Sequence, residues 1–327
     1  MRVLVTGGAG YIGSHVALSL LEQGHEVTVL DNVSTGFSCL VPKGARFVHA
    51  DLAEKDVVEK TLREDKIEAV MHMAAAAVVS ESASDPGKYF RNNVTYAQNL
   101  LDAMVAVGVK RLIFSSSCAV YGTPKKVPID ESHPFAPIST YGWTKLMFER
   151  MLQAYGRAHG IEHVSLRYFN AAGAALDSSI GEMHDPETHL IPNVLKVSTG
   201  EKERLEVYGK DYPTEDGTCI RDYVHILDIA RAHVLAMEKM DGGISPAYNI
   251  GTGDGHSVLS VIEMSRKVSG KDIPVHYADR RPGDPPRLVA SSGLIKKELG
   301  WSPRFDLKKI IETAWDWESR DKGERHA

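Results

Sequence analysis

The sequence predicts an α/β fold in which a doubly wound parallel sheet is followed by a smaller C-terminal α/β domain. In the first half of the chain, short apolar stretches alternate with stretches of helical periodicity, which is typical of parallel sheets covered by helices. A glycine-rich turn, Gly7-x-x-Gly10-x-x-Gly13, separates the first strand from the first helix. After Asn170 the alternation ends and loops become more frequent. We therefore expect a second domain to begin near that residue.

The glycine-rich turn predicts a dinucleotide site in a Rossmann-like domain. Residues 3–5 are apolar and indicate a buried strand, and helical periodicity begins at Ile12. Glycines permit the tight turn and a close approach to a pyrophosphate, while the helix N-terminus offers free N–H groups. A second strand over residues 27–30 ends in Asp31. A carboxylate there binds a ribose 2′-OH and repels a 2′-phosphate, so the sequence predicts NAD and not NADP.

The next two strands also end in residues that suit a nucleotide. The strand over residues 46–49 is closed by Asp51, which could contact the adenine or cap the following helix. The strand after it runs into four alanines, 74–77, whose lack of bulk would let a nucleotide lie against the backbone. We expect one long helix over residues 85–107.

A proline-rich loop over residues 122–138 follows the next strand, at 111–114. That strand ends in three consecutive serines. Four prolines exclude regular structure in the loop, so we expect it to cover the strand ends. A helix over 139–159 comes next, and a strand over 163–167 then ends in Tyr168-Phe169-Asn170. The alternation of a doubly wound sheet is thereby completed.

The helix after this loop begins with a pair of residues suited to proton transfer, Tyr141-x-x-x-Lys145. Four-residue spacing places both side chains on one face, where the ammonium would favour the phenolate. A similar pair, Tyr121 and Lys125, has a proline inside it and cannot form a helical turn. Ser117, at the end of the serine triplet, could hydrogen-bond a substrate oxygen beside the phenol. Together with a nicotinamide, these groups would form a hydride-transfer site for alcohols and ketones.

The second half of the chain predicts a domain of shorter elements. We expect domains over residues 1–170 and 171–327, with segments near 221–250 packing back onto the first. The motif Gly251-x-Gly253-x-Gly255 is interpreted as a strand-to-helix turn capped before Val258. Helices are expected over residues 190–199, 227–240, 257–269, 293–299 and 307–319.

Composition excludes several classes of protein. With 327 residues, 43% hydrophobic residues and a net charge of −5, the chain has an ordinary globular composition and no electrostatic signature of nucleic-acid binding. No apolar run reaches membrane-spanning length, and the first strand begins at residue 2, so we expect a cytoplasmic protein. The three cysteines show neither Cys-x-x-Cys nor Cys/His spacing. Disulfides and a metal site are therefore not expected.

Several motifs together resemble the extended short-chain dehydrogenase/reductase superfamily. They are the glycine turn, Asp31-Asn32, Ser117 with Val120-Tyr121-Gly122, Tyr141-x-x-x-Lys145 and Tyr168-Phe169-Asn170. Three further motifs of the second half are similar to the family of UDP-glucose 4-epimerases: Gly209-x-Asp211-Tyr212-x-Thr214-x-Asp216-Gly217-Thr218, Arg221-Asp222-Tyr223-Val224-His225 and Arg281-Pro282-Gly283-Asp284. The resemblance covers nearly the whole chain.

The resemblance implies a catalytic set, an NAD site and a UDP-sugar site. The catalytic residues would be Ser117, Tyr141 and Lys145. The cofactor-binding residues would be Gly7, Gly10, Tyr11, Ile12, Gly13, Asp31, Asn32, Asp51, Leu52, Met73, Ala74, Ala75, Asn92, Ser115, Tyr141, Lys145 and Tyr168. The substrate-binding residues would be Ser117, Tyr141, Asn170, His189, Leu190, Tyr208, Arg221, Arg281, Asp284 and Leu288, with the two arginines neutralising the diphosphate.

Three positions depart from one branch of that family. Ala77 replaces a lysine on the cofactor, and His189 replaces an asparagine on the nucleotide. His189 could still donate one hydrogen bond, or it could be a structural residue near a helix start. Leu288 replaces a bulky tyrosine in the sugar pocket, which predicts room for a C2 N-acetyl group.

The resemblance implies C4 epimerisation of a UDP-hexose by hydride transfer to NAD, rotation of a 4-keto sugar and hydride return. The expected substrates are UDP-glucose and UDP-galactose, together with their N-acetylhexosamine counterparts. A 4,6-dehydratase is disfavoured because Cys118 and Ala119 replace the acidic pair of that family. A 4-epimerase of a UDP-pentose or UDP-uronate, a reductase and a non-catalytic NAD sensor remain alternatives. The resemblance also suggests a homodimer formed through the helices that carry Tyr89 and Lys145.

Overall fold

The computed structural model describes residues 1–240, 243–244, 246–281 and 283–320. The elements of the first half are, in chain order, β1 (Arg2–Thr6), α1 (Tyr11–Glu22), β2 (Glu26–Asp31), β3 (Arg46–His49), α2 (Lys55–Glu64), β4 (Ala69–His72), α3 (Val79–Ser84), α4 (Pro86–Phe90), α5 (Ala97–Val107), β5 (Arg111–Ser117), α6 (Thr140–His159) and β6 (Glu162–Tyr168). The elements of the second half are β7 (Asn170–Ala172), α7 (Leu190–Ser198), β8 (Leu205–Tyr208), β9 (Ile220–His225), α8 (Ile226–Glu238), β10 (Ala247–Ile250), β11 (Gly255–Ser257), α9 (Val258–Ser269), β12 (Val275–Ala278), β13 (Arg287–Leu288), α10 (Gly293–Leu299) and α11 (Leu307–Glu318).

Seven parallel strands form the central sheet in the order β10-β6-β5-β4-β1-β2-β3. Alternate residues of β1 face opposite sides, so Val3 and Val5 join the core under α1 and α8, while Leu4 joins the core under α2 and α5. Both faces are buried, which explains why these strands are continuous apolar runs. The predicted Rossmann-like doubly wound sheet is confirmed.

The order in which successive strands are added reverses between β1 and β4. This position determines where a ligand can bind. β1 pairs with β2 on one side and with β4 on the other. In open parallel sheets, ligands bind in the crevice outside the carboxyl ends of the strands at such a switch point. The glycine-rich turn follows β1 directly and therefore lies beside this crevice.

Two predicted elements differ from the structure. The strand expected over 111–114 continues to Ser117, because β5 and β6 remain paired as far as Ser117 and Tyr168. The single helix expected over 85–107 is instead α4, a π-helical turn over Arg91–Tyr96, and α5. A π-helical turn shifts the register of the side chains and is common at functional sites.

Part of the second half packs on the first sheet. β10 extends the sheet beside β6, and α8 packs against α1. The remaining strands form a small sheet of β7, β9, β11 and β13 and a β8–β12 pair. Ile191, Val261 and Ile311 join α7, α9 and α11 in a separate core. The division near residue 170 stays a prediction.

The Gly251 segment contains one strand that the sequence analysis did not predict. This strand, β11, lies between the turn and α9. It is stabilised by antiparallel pairing with β9. The side chain of Ser257 accepts a hydrogen bond from the Ser260 N–H and caps α9, so the predicted cap before Val258 is present.

Candidate active site

The glycine-rich turn lies tightly against the end of β4. Gly7 has a φ of +74°, and a Cβ added there would be 2.5 Å from the amide nitrogen of Ala74 and 2.9 Å from the carbonyl carbon of Met73. A Cβ at Gly13 would be 2.1 Å from the Gly7 oxygen. Only glycine fits these positions. The close packing places the start of α1, at Tyr11, in the crevice of the sheet, where its N–H groups can face an anion.

Three polar residues converge at the ends of β2 and β3. Asp31 Oδ2 accepts a hydrogen bond of 3.0 Å from the Ala9 N–H and so holds the turn in place. Asn32 donates to Asp51 across the strand ends. Asp51 also accepts from the Ala53 N–H, whereas α2 begins only at Lys55. The helix-capping alternative for Asp51 is therefore wrong, and its contact with adenine stays a prediction.

The structure brings Tyr141, Lys145 and Ser117 together at the carboxyl end of β5. Tyr141 and Lys145 lie in the first turns of α6 and are both buried. The Lys145 ammonium donates a 2.8 Å hydrogen bond to the carbonyl oxygen of Ser115 and lies 5.7 Å from the centre of the Tyr141 ring. The Ser117 hydroxyl is within hydrogen-bonding reach of the phenol. A base, a cation and a hydroxyl thus share one buried site.

Burial is the largest influence on the pKa values of Tyr141 and Lys145 in the chain alone. It raises the pKa of Tyr141 to about 12, although the hydrogen bond with Ser117 opposes the shift. Burial also lowers the pKa of Lys145 to about 7, against the attraction of Glu149. Lys145 alone therefore does not offset the effect of burial on the pKa of the Tyr141 phenol. Further positive charge is needed beside the phenol.

The π-helical turn and the alanine segment are joined by a residue that the sequence analysis missed. Asn93 is buried, accepts a 2.8 Å hydrogen bond from the Ala76 N–H and donates to the Ala76 carbonyl and to Thr144. It therefore holds the alanine segment against α6. Asn92, the residue that we predicted, is half-buried beside it. The adjacent asparagines were the available signal, but the sequence does not show which of them faces inward.

Tyr168 closes the site at the end of β6. Its hydroxyl pairs with that of Ser115, so two predicted cofactor residues contact each other. Ala75 lies in the segment that Asn93 holds, and Leu52 is buried just after β3. Ile12 lies in the first turn of α1. The predicted cofactor residues thus follow one edge of the sheet.

Several predicted substrate residues lie in the small sheet or in the β8–β12 pair. Arg221, on β9, pairs with Asp284. The Arg281 guanidinium lies 4.0 Å from the centre of the Tyr208 ring. The half-buried Asn170 begins β7, which pairs with β9. The turn that contains Arg281 also carries Asp284, whose N–H donates to the Arg281 carbonyl, and is therefore joined to Arg221.

Leu288 and Leu190 line different parts of the second half. Leu288, on β13, is the register partner of Arg221 and packs partly against the cluster of Tyr121 and Phe169. It is half-buried, so one side remains accessible. Leu190 begins α7, directly after His189. His189 Nδ1 lies 2.8 Å from Glu182 Oε1, so only the other ring nitrogen faces away from this carboxylate.

Asp222 organises the substrate region, although sequence reasoning assigned it no role. It is fully buried and accepts hydrogen bonds from the backbone N–H groups of Thr252, Gly253 and Ala290. Burial raises the pKa of Asp222, and these hydrogen bonds oppose the shift. A carboxylate between Arg221 and Tyr223, in a strand whose residues are all buried, was the signal for it.

A doubly wound sheet with a glycine-rich turn at its switch point, and a Tyr/Lys pair behind a serine, define the class of nucleotide-dependent enzymes with a Rossmann-like fold. Residues 3–251 match the NAD dependent epimerase/dehydratase family. The chain belongs to that family.

Individual relatives agree with this assignment. A UDP-glucose 4-epimerase of Corynebacterium glutamicum is 50% identical over 328 residues, which cover 100% of this chain and 98% of the relative. The crystal structure of UDP-glucose 4-epimerase from Brucella ovis in complex with NAD has a TM-score of 0.94 and 47% identity, covering 96% of this chain and 97% of that one. The enzyme from Bifidobacterium longum in complex with NAD+ and UDP has a TM-score of 0.93 and 35% identity, with both chains fully covered.

These matches confirm the family predicted from the motifs, the prediction of an enzyme and the NAD dependence. Within the part of the chain that the structure describes, no helix combines the length and apolarity required to cross a membrane.

Proposed function

We propose that this chain interconverts UDP-glucose and UDP-galactose by inverting C4 of the sugar, and that it also acts on the UDP-N-acetylhexosamines. The observation that carries the proposal is the convergence of Ser117, Tyr141 and Lys145 at the carboxyl end of β5, on the same edge of the sheet as the glycine-rich turn. The names of the relatives support the same activity.

The residues present fit NAD. The turn at Gly7 and Gly10 carries no side chains that would exclude a pyrophosphate, and Asp31 lies at the end of β2 for the adenosine ribose. Bound NAD+ supplies a hydride acceptor and donor for C4, and its positive charge is of the sign that favours ionisation of Tyr141. The raised pKa of the phenol in the chain alone is consistent with this dependence on the cofactor.

The chain's own residues then move one proton. The Tyr141 oxygen takes the proton of the sugar 4-OH and later returns it. Ser117 orients the 4-oxygen through its hydroxyl. Lys145 is held beside the base by its hydrogen bond to the Ser115 carbonyl. A 4-keto sugar that rotates between the two steps presents its opposite face, which inverts C4.

The second half of the chain would hold the nucleotide firmly while the sugar turns. Arg221 and Arg281 carry the positive charge that a diphosphate requires. Asp284 pairs with Arg221 and orients it. Binding strength concentrated in the UDP leaves the sugar free to rotate without dissociating.

The rival activities are less well supported. Dehydration needs a second acid beside the base, but Ala119 has no titratable group and burial raises the pKa of Cys118 to about 12. A net reductase would release reduced cofactor and has no need for a diphosphate site. A non-catalytic NAD sensor would not require the buried base. A 4-epimerase of a UDP-pentose or a UDP-uronate shares all these features and differs only in the sugar.

The test is incubation of the purified protein with UDP-galactose in D2O, followed by NMR of the products. We expect UDP-glucose with C4–H retained, because the hydrogen does not exchange with solvent in a closed site. Parallel reactions with UDP-N-acetylglucosamine, UDP-xylose and UDP-glucuronate identify the preferred sugar. Deuterium at C4 would contradict the mechanism, and turnover of only the pentose or the uronate would contradict the substrate.

Leu288→Tyr is expected to close the space for the C2 substituent. Overfilling a pocket by this amount should lower turnover of UDP-N-acetylglucosamine by roughly 10- to 200-fold, with UDP-glucose nearly unaffected. The measurement is kcat/KM for both sugars. Leu288→Met, of similar volume, should retain both activities. Equal losses for both sugars with Leu288→Tyr would indicate that Leu288 is only a packing residue.

We also propose a homodimer in the cytoplasm and a domain boundary near residue 170. The support for the dimer is apolar exposure on adjacent helices: Phe90 on α4 is 40% exposed, and Trp143 and Met147 on α6 are 46% and 40% exposed. Trp143 and Met147 lie one turn apart, so they share a face. A monomer at micromolar concentration in sedimentation velocity would contradict the dimer.

A further inference from the structure

Four metal-ligating side chains meet in the segment between β7 and α7. They follow the pattern Glu-x-His-x-x-Glu-x-His and are Glu182, His184, Glu187 and His189. One nitrogen or oxygen atom from each lies within 4.8 Å of all the others. The sequence analysis expected no metal because it considered only cysteine spacings. The pattern lies in a loop, so only the fold shows that the four groups converge.

The separations suit a small cation. His189 Nδ1 is 2.8 Å from Glu182 Oε1 and 3.2 Å from Glu187 Oε1, while His184 Nδ1 is 3.3 Å from Glu182 Oε1 and 3.5 Å from Glu187 Oε2. Ligands placed about 2.0–2.2 Å from a tetrahedral ion are separated by roughly 3.3–3.6 Å. Most of the observed distances are close to this value.

A second observation concerns unsatisfied polar atoms. Glu182 is only 8% exposed, and its Oε1 and His184 Nδ1 are buried atoms without a hydrogen bond of acceptable geometry in the described part of the chain. They nevertheless lie 3.3 Å apart and point into the cluster. Their contacts are ion pairs within the cluster and not well-directed hydrogen bonds, and an ion between them would coordinate both.

We propose that Glu182, His184, Glu187 and His189 bind one divalent transition-metal ion, with Zn²⁺ as the expected ion. Two carboxylates neutralise the charge of a divalent cation, and imidazole nitrogens select a first-row transition metal over Ca²⁺ or Mg²⁺. Four protein ligands leave no open position, which is the character of a structural site and not of a catalytic one. The half-exposed side chain of His189 leaves a path for the ion to enter.

The site would join three parts of the fold. Glu187 Oε1 accepts hydrogen bonds from the backbone N–H groups of Thr188 and His189, which orients the carboxylate at the start of α7. The Trp317 indole, on α11, donates to the carbonyl of Glu182. The Tyr11 ring, at the glycine-rich turn, is 6.2 Å from the His184 ring. The ion would therefore fasten α7 and α11 to the end of the sheet that carries the turn.

Metal analysis of the full chain, without a histidine tag, tests the proposal. After purification from zinc-supplemented cells and desalting, we expect about one zinc ion per wild-type chain. Glu182→Gln with His184→Gln should lose nearly all of it. The matched control is His276→Gln, which alters the exposed Glu206–His276 pair, 2.6 Å apart, and should leave the zinc content unchanged. Equal zinc in all three proteins would overturn the proposal.

Two measurements on the wild type keep the proposal testable even if the double variant does not fold. Replacement of the bound ion by Co²⁺ should produce the visible absorption of a four-coordinate site with nitrogen and oxygen ligands. Removal of the ion by a chelator should lower Tm, and equimolar Zn²⁺ should restore it. A wild-type chain that takes up neither ion and whose Tm does not respond to Zn²⁺ would show instead that the cluster is held by imidazolium–carboxylate pairs alone.

Discussion

Replacing Tyr141 by phenylalanine is expected to lower the turnover of UDP-galactose by about 10²- to 10⁴-fold while the enzyme remains folded. The phenol is the group placed beside both Ser117 and Lys145, and its oxygen would move the proton of the sugar 4-OH. Removing that oxygen leaves the ring, and therefore the packing, in place. The measurement is kcat with NAD bound, together with Tm.

Tyr121→Phe is the matched control for this variant. Tyr121 is also buried, but its hydroxyl donates to Asn249 and accepts from Arg167, with distances of 2.7 Å and 2.9 Å. Loss of this hydroxyl should lower the free energy of unfolding by about 1–3 kcal/mol, because it leaves buried partners unsatisfied. Turnover per folded enzyme should change little. Equal losses of turnover in the two variants, or an active Tyr141→Phe, would contradict the assignment of the base.

The second large effect concerns stability. Arg167→Met is expected to lower the free energy of unfolding by about 3–5 kcal/mol, because it leaves a buried carboxylate without its cation. Arg167 Nε and Nη2 donate to the two oxygens of Glu149, with distances of 2.9 Å and 2.6 Å, and both side chains are buried. The Ser116 hydroxyl donates to the same carboxylate and cannot replace the charge.

Urea denaturation of the wild type, of Arg167→Met and of the two further variants described next measures this effect, with NAD saturating in each so that binding contributes equally. The control is Arg63→Met, which breaks the exposed pair of Arg63 with Glu59 and should cost less than about 1 kcal/mol. Adding Glu149→Gln to Arg167→Met should recover part of the loss by removing the unpaired charge. A loss no greater than that of the surface control would show that the buried pair contributes little.

Most of the fold could be predicted because its signals are local. β3 and α10 have the predicted bounds. Apart from the long helix, each of the other predicted helices ends within about two residues of its own predicted end. The long helix over 85–107 was the exception, because its periodicity continues through the Asn92 and Asn93 turn. The strands of the second half were missed because they are short and are stabilised by distant partners, as β10 is by β6.

The candidate site likewise contains residues that could be located from the sequence and residues whose roles could not. Tyr141, Lys145 and the glycine-rich turn could be located because residues a few positions apart in one helix or turn must lie close together. The roles of Asn93, Asp222 and the Glu182 cluster depend on groups that only the folded chain brings within hydrogen-bonding or ligand distance.

By itself, the sequence determined the sheet, the nucleotide turn and the base with its lysine, because spacing along one element suffices to position them. Only the tertiary structure decided how these groups ionise and which polar residues support them. Burial, which raises the pKa of Tyr141 and lowers that of Lys145, is a property of everything packed around a side chain. Hydrogen bonds such as those that Asp222 accepts from Thr252 and Ala290 join segments far apart in the chain. Such long-range contacts arise only when the packed core has brought the segments together.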